Sequence, residues 1–293
     1  MAGSRPPLSV VIPAREGLDE IRVVLEALLP EAEEIGVEVV VVGDVAPDER
    51  SPSLAVRLIP APIADMLDLH KRGIAEARGD VVAIGEDHAL PEAGWCEAII
   101  RAHAENRKAA AIAGCLVNAT DATLSGRANF LAFAGAWQLP MPELPAGRPP
   151  PASALTFKRE ALKEAGSQPP GWLEAELIPS LFARGSMVAD DRVVVHHHQD
   201  HGSLWSVRNA FHSARASYGF KRAQLAPRER RALARWTIAN VPRGLRGEAS
   251  EGAGPMPIGI VESALIGAIA FAAGLGAAAG ALAGSGSSPD RVA

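Results

Sequence analysis

Cysteine is nearly missing from this sequence: Cys96 and Cys115 are the only two in 293 residues. Their spacing matches no metal-ligand pattern, so a reduced, cytoplasmic setting is the default and a single disulfide the alternative. An excess of basic charge is missing too. The net charge is -5 and the pI about 5.9, which argues against nucleic acid as a partner. No repeat of fixed period is visible. The first apolar run is short and broken by Pro13, unlike a signal peptide. No glycine-rich basic loop follows it either. "PAREGLDE" (13–20) has one glycine and more acids than bases, which argues against a nucleotidyltransferase.

What the chain does have is apolar residues, 48% of the total, enough for a substantial core in one large domain or two small ones. They fall into alternating strand-like and helix-like runs. Strands are expected at Leu8–Ala14, 37–44, 54–61, 81–87, 110–119 and 187–197, from their short, β-branched, nearly continuous apolar stretches. Helices are expected at 18–36, 68–79, 94–106, 173–185 and 203–226, from apolar residues at helical spacing. A short strand turning into a helix is expected over 154–166. The alternation predicts an α/β fold with a mostly parallel, Rossmann-like sheet covered by helices. The proline-rich stretch from Pro140 to Pro151 reads as a loop.

The C-terminal part differs. Ile258 to Ala283 is nearly all apolar, with Glu262 its only charge. At about 1.5 Å per residue it is long enough to cross a hydrocarbon core of about 30 Å. Glycines at 276, 280 and 284 repeat a spacing that lets helices pack closely in lipid. Membrane insertion or close association is therefore expected, with a buried helical hairpin as the alternative. Upstream basic residues (Arg228, Arg230, Arg231, Arg235, Arg243, Arg246) would put the preceding domain on the cytoplasmic side. The expected layout is a catalytic domain over 1–220, a basic helical linker over 221–257, the apolar segment over 258–284 and a disordered tail over 285–293.

Ligands of open parallel sheets bind at the carboxyl ends of strands. Asp44, Glu86, Asp87 and His88 stand at such ends. Carboxylates and an imidazole there could hold Mn²⁺ or Mg²⁺ against a diphosphate. The alternative is a hydrogen-bonded loop without a ligand. In "VVVHHHQDHG", His196 and His198 would share one face of a strand and His197 the other. Such a tract is metal-like in composition. His70, Lys71 and Arg72 could neutralise phosphate or simply form a solvated helix face. Trp95, Trp137 and Trp172 could offer a flat face to a sugar, with core packing the alternative for each and the favoured one for Trp95.

Taken in order, these pieces resemble a family-two inverting glycosyltransferase of the GT-A fold, over roughly residues 8–220. The resemblance is carried by "SVVIPARE" (9–16), "VVGD" (41–44), "HKRGIAEARGD" (70–80), "EDHALP" (86–91) with its following tryptophan, "GCLVN" (114–118), "NFLAFAGAW" (129–137), "ALTFKREAL" (154–162) and "LEAEL" (173–177). It is similar to a subset with an E-D-H version of the metal motif. The resemblance divides the catalytic domain into a nucleotide-sugar half, about 1–115, and an acceptor half, about 116–220. It implies transfer of a sugar from a nucleotide-diphosphate sugar to an acceptor hydroxyl. Pro13, Arg15, Glu16 and Asp44 would lie near the nucleotide. Glu86, Asp87, Lys71 and Arg72 would lie near the diphosphate. Asp87, His88 and one of His196, His197 and His198 would hold the metal, and Glu174 would be the general base. The acceptor would be a lipid-linked or cell-envelope glycan if the C-terminal segment meets a membrane. Three departures stand out: Gly43 and His88 where the family has acids, and Glu174 where it has an aspartate. They suit an altered metal preference, an altered donor, or a membrane-tethered pseudoglycosyltransferase that binds without turnover.

Overall fold

The computed structural model describes residues 5–291 except 47, 62–64, 121–122, 142, 146–148, 170, 199–200 and 252–258; for 240–251 and 290 it describes the backbone alone. In chain order the main elements are β1 (Leu8–Ala14), α1 (Arg22–Ile35), β2 (Glu38–Gly43), β3 (Val56–Pro60), α2 (Met66–Glu76), β4 (Val81–Ile84), β5 (Ala89–Pro91), α3 (Trp95–Glu105) and β6 (Ala111–Asn118). Then follow α4 (Leu124–Ala134), β7 (Leu155–Lys158), α5 (Arg159–Leu162), α6 (Ile178–Ala183), β8 (Met187–His197), α7 (Ser203–Gln224), α8 (Pro227–Glu251) and α9 (Ile260–Ala283). The chain forms two compact units. Unit 1 holds residues 1–117 and 139–197; unit 2 holds 118–138 and 198–293.

Unit 1 is built on an eight-stranded sheet of order β3-β2-β1-β4-β7-β6-β8-β5, flanked by helices in an α/β arrangement. The sheet is mixed. β3, β2, β1 and β4 are parallel, whereas β7 runs antiparallel to β4 and β6, and β5 antiparallel to β8. An apolar run reads alike in either direction, so the antiparallel half is invisible in the pattern. The parallel half matches its sequence closely: every residue of β1 and β2 is buried, as a strand covered on both faces requires.

Helices end where backbone chemistry stops them. α1 carries Pro30 through its middle and stops at Gly36, whose left-handed φ of 75° lets its N–H close on the Ala32 carbonyl. α2 starts at Asp65, whose carboxylate accepts from the Asp68 N–H, and it stops short of Gly79. A Cβ at Gly79 would lie 2.4 Å from the Ser9 nitrogen, so only glycine lets this turn touch β1. The helix expected over 173–185 is a π turn at Leu173–Leu177 followed by α6. Pro179 has no N–H to return to the preceding turn, which accompanies the widening.

Cys96 and Cys115 are both free and buried. Burial pushes both thiols up, Cys115 to about 12, so they behave as small core residues. Trp95 is likewise buried core.

Candidate metal centre

The link Gly85–His88 leaves β4 in the middle of the sheet and enters β5 at its edge. β5 then pairs with β8 in a register that sets Ala89 opposite His197. That register brings His197 beside His88, their rings meeting edge to face with centroids 4.6 Å apart. Three donor groups converge there. His88 Nε2 lies 3.4 Å and His197 Nε2 3.3 Å from Glu86 Oε2. Among the described residues, Glu86, His88 and His197 form the one group whose ligand atoms all lie within 4.8 Å of one another.

Electrostatics acts on the carboxylate and the His88 imidazole of this cluster in opposite senses. Burial pushes the Glu86 carboxyl up, but the hydrogen bond to His197 and the charges on His88 and His197 outweigh it and hold it at about 2. Glu86 is therefore a carboxylate at neutral pH. Burial pushes His88 down, and the hydrogen bond to Asp87 with the charge of Glu86 more than reverses this, so its pKa is raised.

Asp87 faces the other side of the same imidazole. Its Oδ1 lies 2.5 Å from His88 Nδ1, which fixes the ring with Nε2 toward Glu86. Burial raises the Asp87 carboxyl and its partnership with His88 lowers it further than that. Glu20 completes the chain. Its carboxyl hydrogen-bonds Asp87 and accepts from the Glu16 N–H at 2.9 Å. Its pKa is raised, by burial first and then by the charge of Asp87. Glu20 was not among the residues singled out in the sequence; nothing in "GLDE" marks it as different from its neighbours.

The other expected residues are distributed as follows. Pro13 is buried inside β1, paired with Val42. Arg15 is half-buried and Glu16 exposed just past the end of β1; Asp44 is exposed just past β2. β1 is the neighbour of β4 in the sheet, and β2, which ends at Asp44, is the next strand beyond it. Arg72 is exposed and turns back along α2 to Asp68 at 2.6 Å, while Lys71 is half-buried on the same helix. His196 points away from the cluster, 3.9 Å from Glu92. His198 is exposed beyond β8 and belongs to unit 2. Trp172 lines a separate cleft of about 750 Å³ with Lys158, Lys163, Glu176 and Arg184.

Glu174 sits on the π turn and meets His70 of α2, with Oε1 3.0 Å from Nδ1. The pair is 104 residues apart in sequence. Glu174 Oε2 and His70 Nε2 are both buried without a hydrogen-bond partner. Unsatisfied buried polar atoms cost about 1–3 kcal/mol each, so both are places where a ligand or water group would be welcome.

Gly43 is required by the backbone around it. A Cβ at this position would lie 1.9 Å from the Ala14 carbonyl oxygen. On this backbone conformation no side chain fits beside β1.

No family model matches the sequence, and no curated protein matches it. The solved structures that resemble the chain include two of similar identity to it. One is the mannosyltransferase PcManGT from Pyrobaculum calidifontis in complex with GDP-Man and Mn²⁺, 19% identical over 96% of this chain and 75% of that one, with a TM-score of 0.49. The other is a mycobacterial protein known from its crystal structure, 18% identical over 67% of this chain and 68% of that one, with a TM-score of 0.45. At these levels of likeness, function has to be argued from the site.

Proposed function

We propose that unit 1 is a glycosyltransferase that moves a sugar from a nucleotide-diphosphate sugar to an acceptor hydroxyl, with inversion and with the help of a divalent cation. The observation that carries this reading is the convergence of Glu86 Oε2, His88 Nε2 and His197 Nε2 at the carboxyl end of β4. Strands β1 and β2 end alongside, with Glu16 and Asp44 free to meet a nucleotide.

The donor set fits a cation. Two imidazoles and one carboxylate with a hydrogen-bonded outer partner suit Mn²⁺ better than Mg²⁺, which prefers oxygen. When bound, such a cation supplies Lewis-acid stabilisation of the charge that builds on a departing diphosphate. Glu86, His88 and His197 would hold it. Asp87 keeps the His88 ring in place rather than acting as a ligand itself, a change from the role the sequence motif assigned to it. Glu174 would take the acceptor proton at Oε2, whose hydrogen-bonding capacity is unspent. His70 holds the other oxygen of that carboxylate.

Incubating the purified protein with a panel of nucleotide-diphosphate sugars tests this. Slow donor hydrolysis or transfer is expected with Mn²⁺, about tenfold or more weaker with Mg²⁺. Glu174→Gln is expected to lower turnover about 10²-fold or more with donor binding unchanged. Donor binding without turnover under every metal would instead establish the pseudoglycosyltransferase.

A further inference from the structure

α9 presents two unlike sides. The inner side is taken up within unit 2. A Cβ at Gly276 would lie 2.0 Å from the Phe211 carbonyl oxygen, and one at Gly280 would lie 2.4 Å from that of Arg215. A Cβ at Gly219 of α7 would meet the Ser285 nitrogen at 2.2 Å. The small-residue seam is thus filled by α7, which runs alongside α9 in the same direction. Glu262, the one charge on α9, is buried against Arg127 of α4 at 2.7 Å and caps the Gly259 N–H. Ile266 and Ile269 pack with Ala128, Leu131 and Ala210.

The outer side is bare. Ala264, Ala268, Phe271, Leu275 and Leu282 are exposed, at steps of four, three, four and seven residues that place them in one stripe. Phe271, Leu275 and Leu282 are 48%, 46% and 55% exposed. The stripe contains no charge.

Charge is segregated between the units. Unit 2 carries 12 lysines and arginines against 7 acids, a net charge of +5; unit 1 carries 17 against 27, a net charge of -10. On α8, Arg228, Arg231 and Arg235 are exposed, and Trp236 is 59% exposed. An apolar stripe, an amphipathic aromatic and exposed arginines within one small unit are the ingredients of an interfacial membrane anchor.

Crossing the bilayer is disfavoured by the same packing. Moving α9 through hydrocarbon would either strip α7 from the glycine seam or draw Arg208, Arg215, Lys221 and Arg222 in with it. Each such cation costs about 2.5–3.5 kcal/mol at the bilayer centre on insertion scales. We propose that α9 lies in the plane of an anionic lipid surface, its outer stripe in the headgroup boundary and the cations of unit 2 on the headgroups. This inference is independent of the reaction assigned to unit 1.

Flotation of the full chain with lipid vesicles is the test. The protein is expected to float with phosphatidylglycerol-containing vesicles and about tenfold less with pure phosphatidylcholine. High salt and alkaline carbonate are expected to release it. Phe271→Asp with Leu275→Asp is expected to reduce flotation about tenfold while the thermal midpoint stays put, because both positions are exposed. Arg228→Glu with Arg231→Glu and Arg235→Glu is expected to do the same. Equal flotation with neutral vesicles, no flotation with anionic ones, or retention after carbonate would each overturn the proposal. So would a wild-type dimer in solution that Phe271→Asp with Leu275→Asp splits without changing flotation.

Discussion

His88 shows how much a single residue's neighbours decide. Its identity in "EDH" is plain in the sequence, yet its role depends on Asp87 gripping Nδ1 and leaving Nε2 to Glu86. Asp87→Asn keeps the shape but weakens that grip, so Mn²⁺ affinity measured by calorimetry is expected to fall about 10–100-fold. Unchanged affinity would show that Asp87 does not orient the ring. His103 offers an independent test away from the cluster. It is buried on α3 with Nε2 2.9 Å from Thr156 Oγ1, and burial, reinforced by Lys158, lowers its pKa to about 4. The unfolded chain takes this proton below about 6.5 and the folded protein only near 4. Stability is therefore lost as pH falls through that window, by up to about 3 kcal/mol. His103→Gln is expected to flatten urea-unfolding stability between those two pH values; an unchanged slope would contradict it. Contiguous groups such as Glu86 to His88 could be read directly from the sequence. The choice of His197 among three histidines could not, because it follows from one register pair, Ala89 with His197. Nor could the pairing of His70 with Glu174, or of Glu20 with Asp87, since nothing local marks partners so far apart.

At the scale of elements, legibility followed local pattern. β1 and β2 stood out as short β-branched apolar runs, and α3 by apolar residues at helical spacing. α4 did not, since seven of its 11 residues are buried and no polar face breaks the run. β5 is three residues long, too short for a period, yet it delivers the register that completes the metal cluster. α9 stood out as apolar, but its division into a packed and a bare side depends on α7. That division makes a paired prediction. Gly276→Leu drives a side chain into the Phe211 carbonyl and is expected to cost about 3 kcal/mol or more. Ala268→Leu, on the exposed side, is expected to leave the thermal midpoint within about a degree or two. Equal effects at the two positions would contradict the packing described.

Over the whole molecule, the net charge of -5 conceals two units of opposite sign, and the units interleave along the chain. A sum over the sequence cannot show this, because residues 118–138 join 198–293 only in three dimensions. The acidic unit carries the candidate metal centre and the basic one the bare apolar stripe. The proposed transfer requires Glu86, His88 and His197 to hold a divalent cation. Anomalous diffraction from crystals grown with Mn²⁺ and a nucleoside diphosphate tests it most directly. A manganese peak is expected about 2.0–2.3 Å from Glu86 Oε2, His88 Nε2 and His197 Nε2. A diphosphate bound with no such peak, or manganese held by other residues, would contradict it.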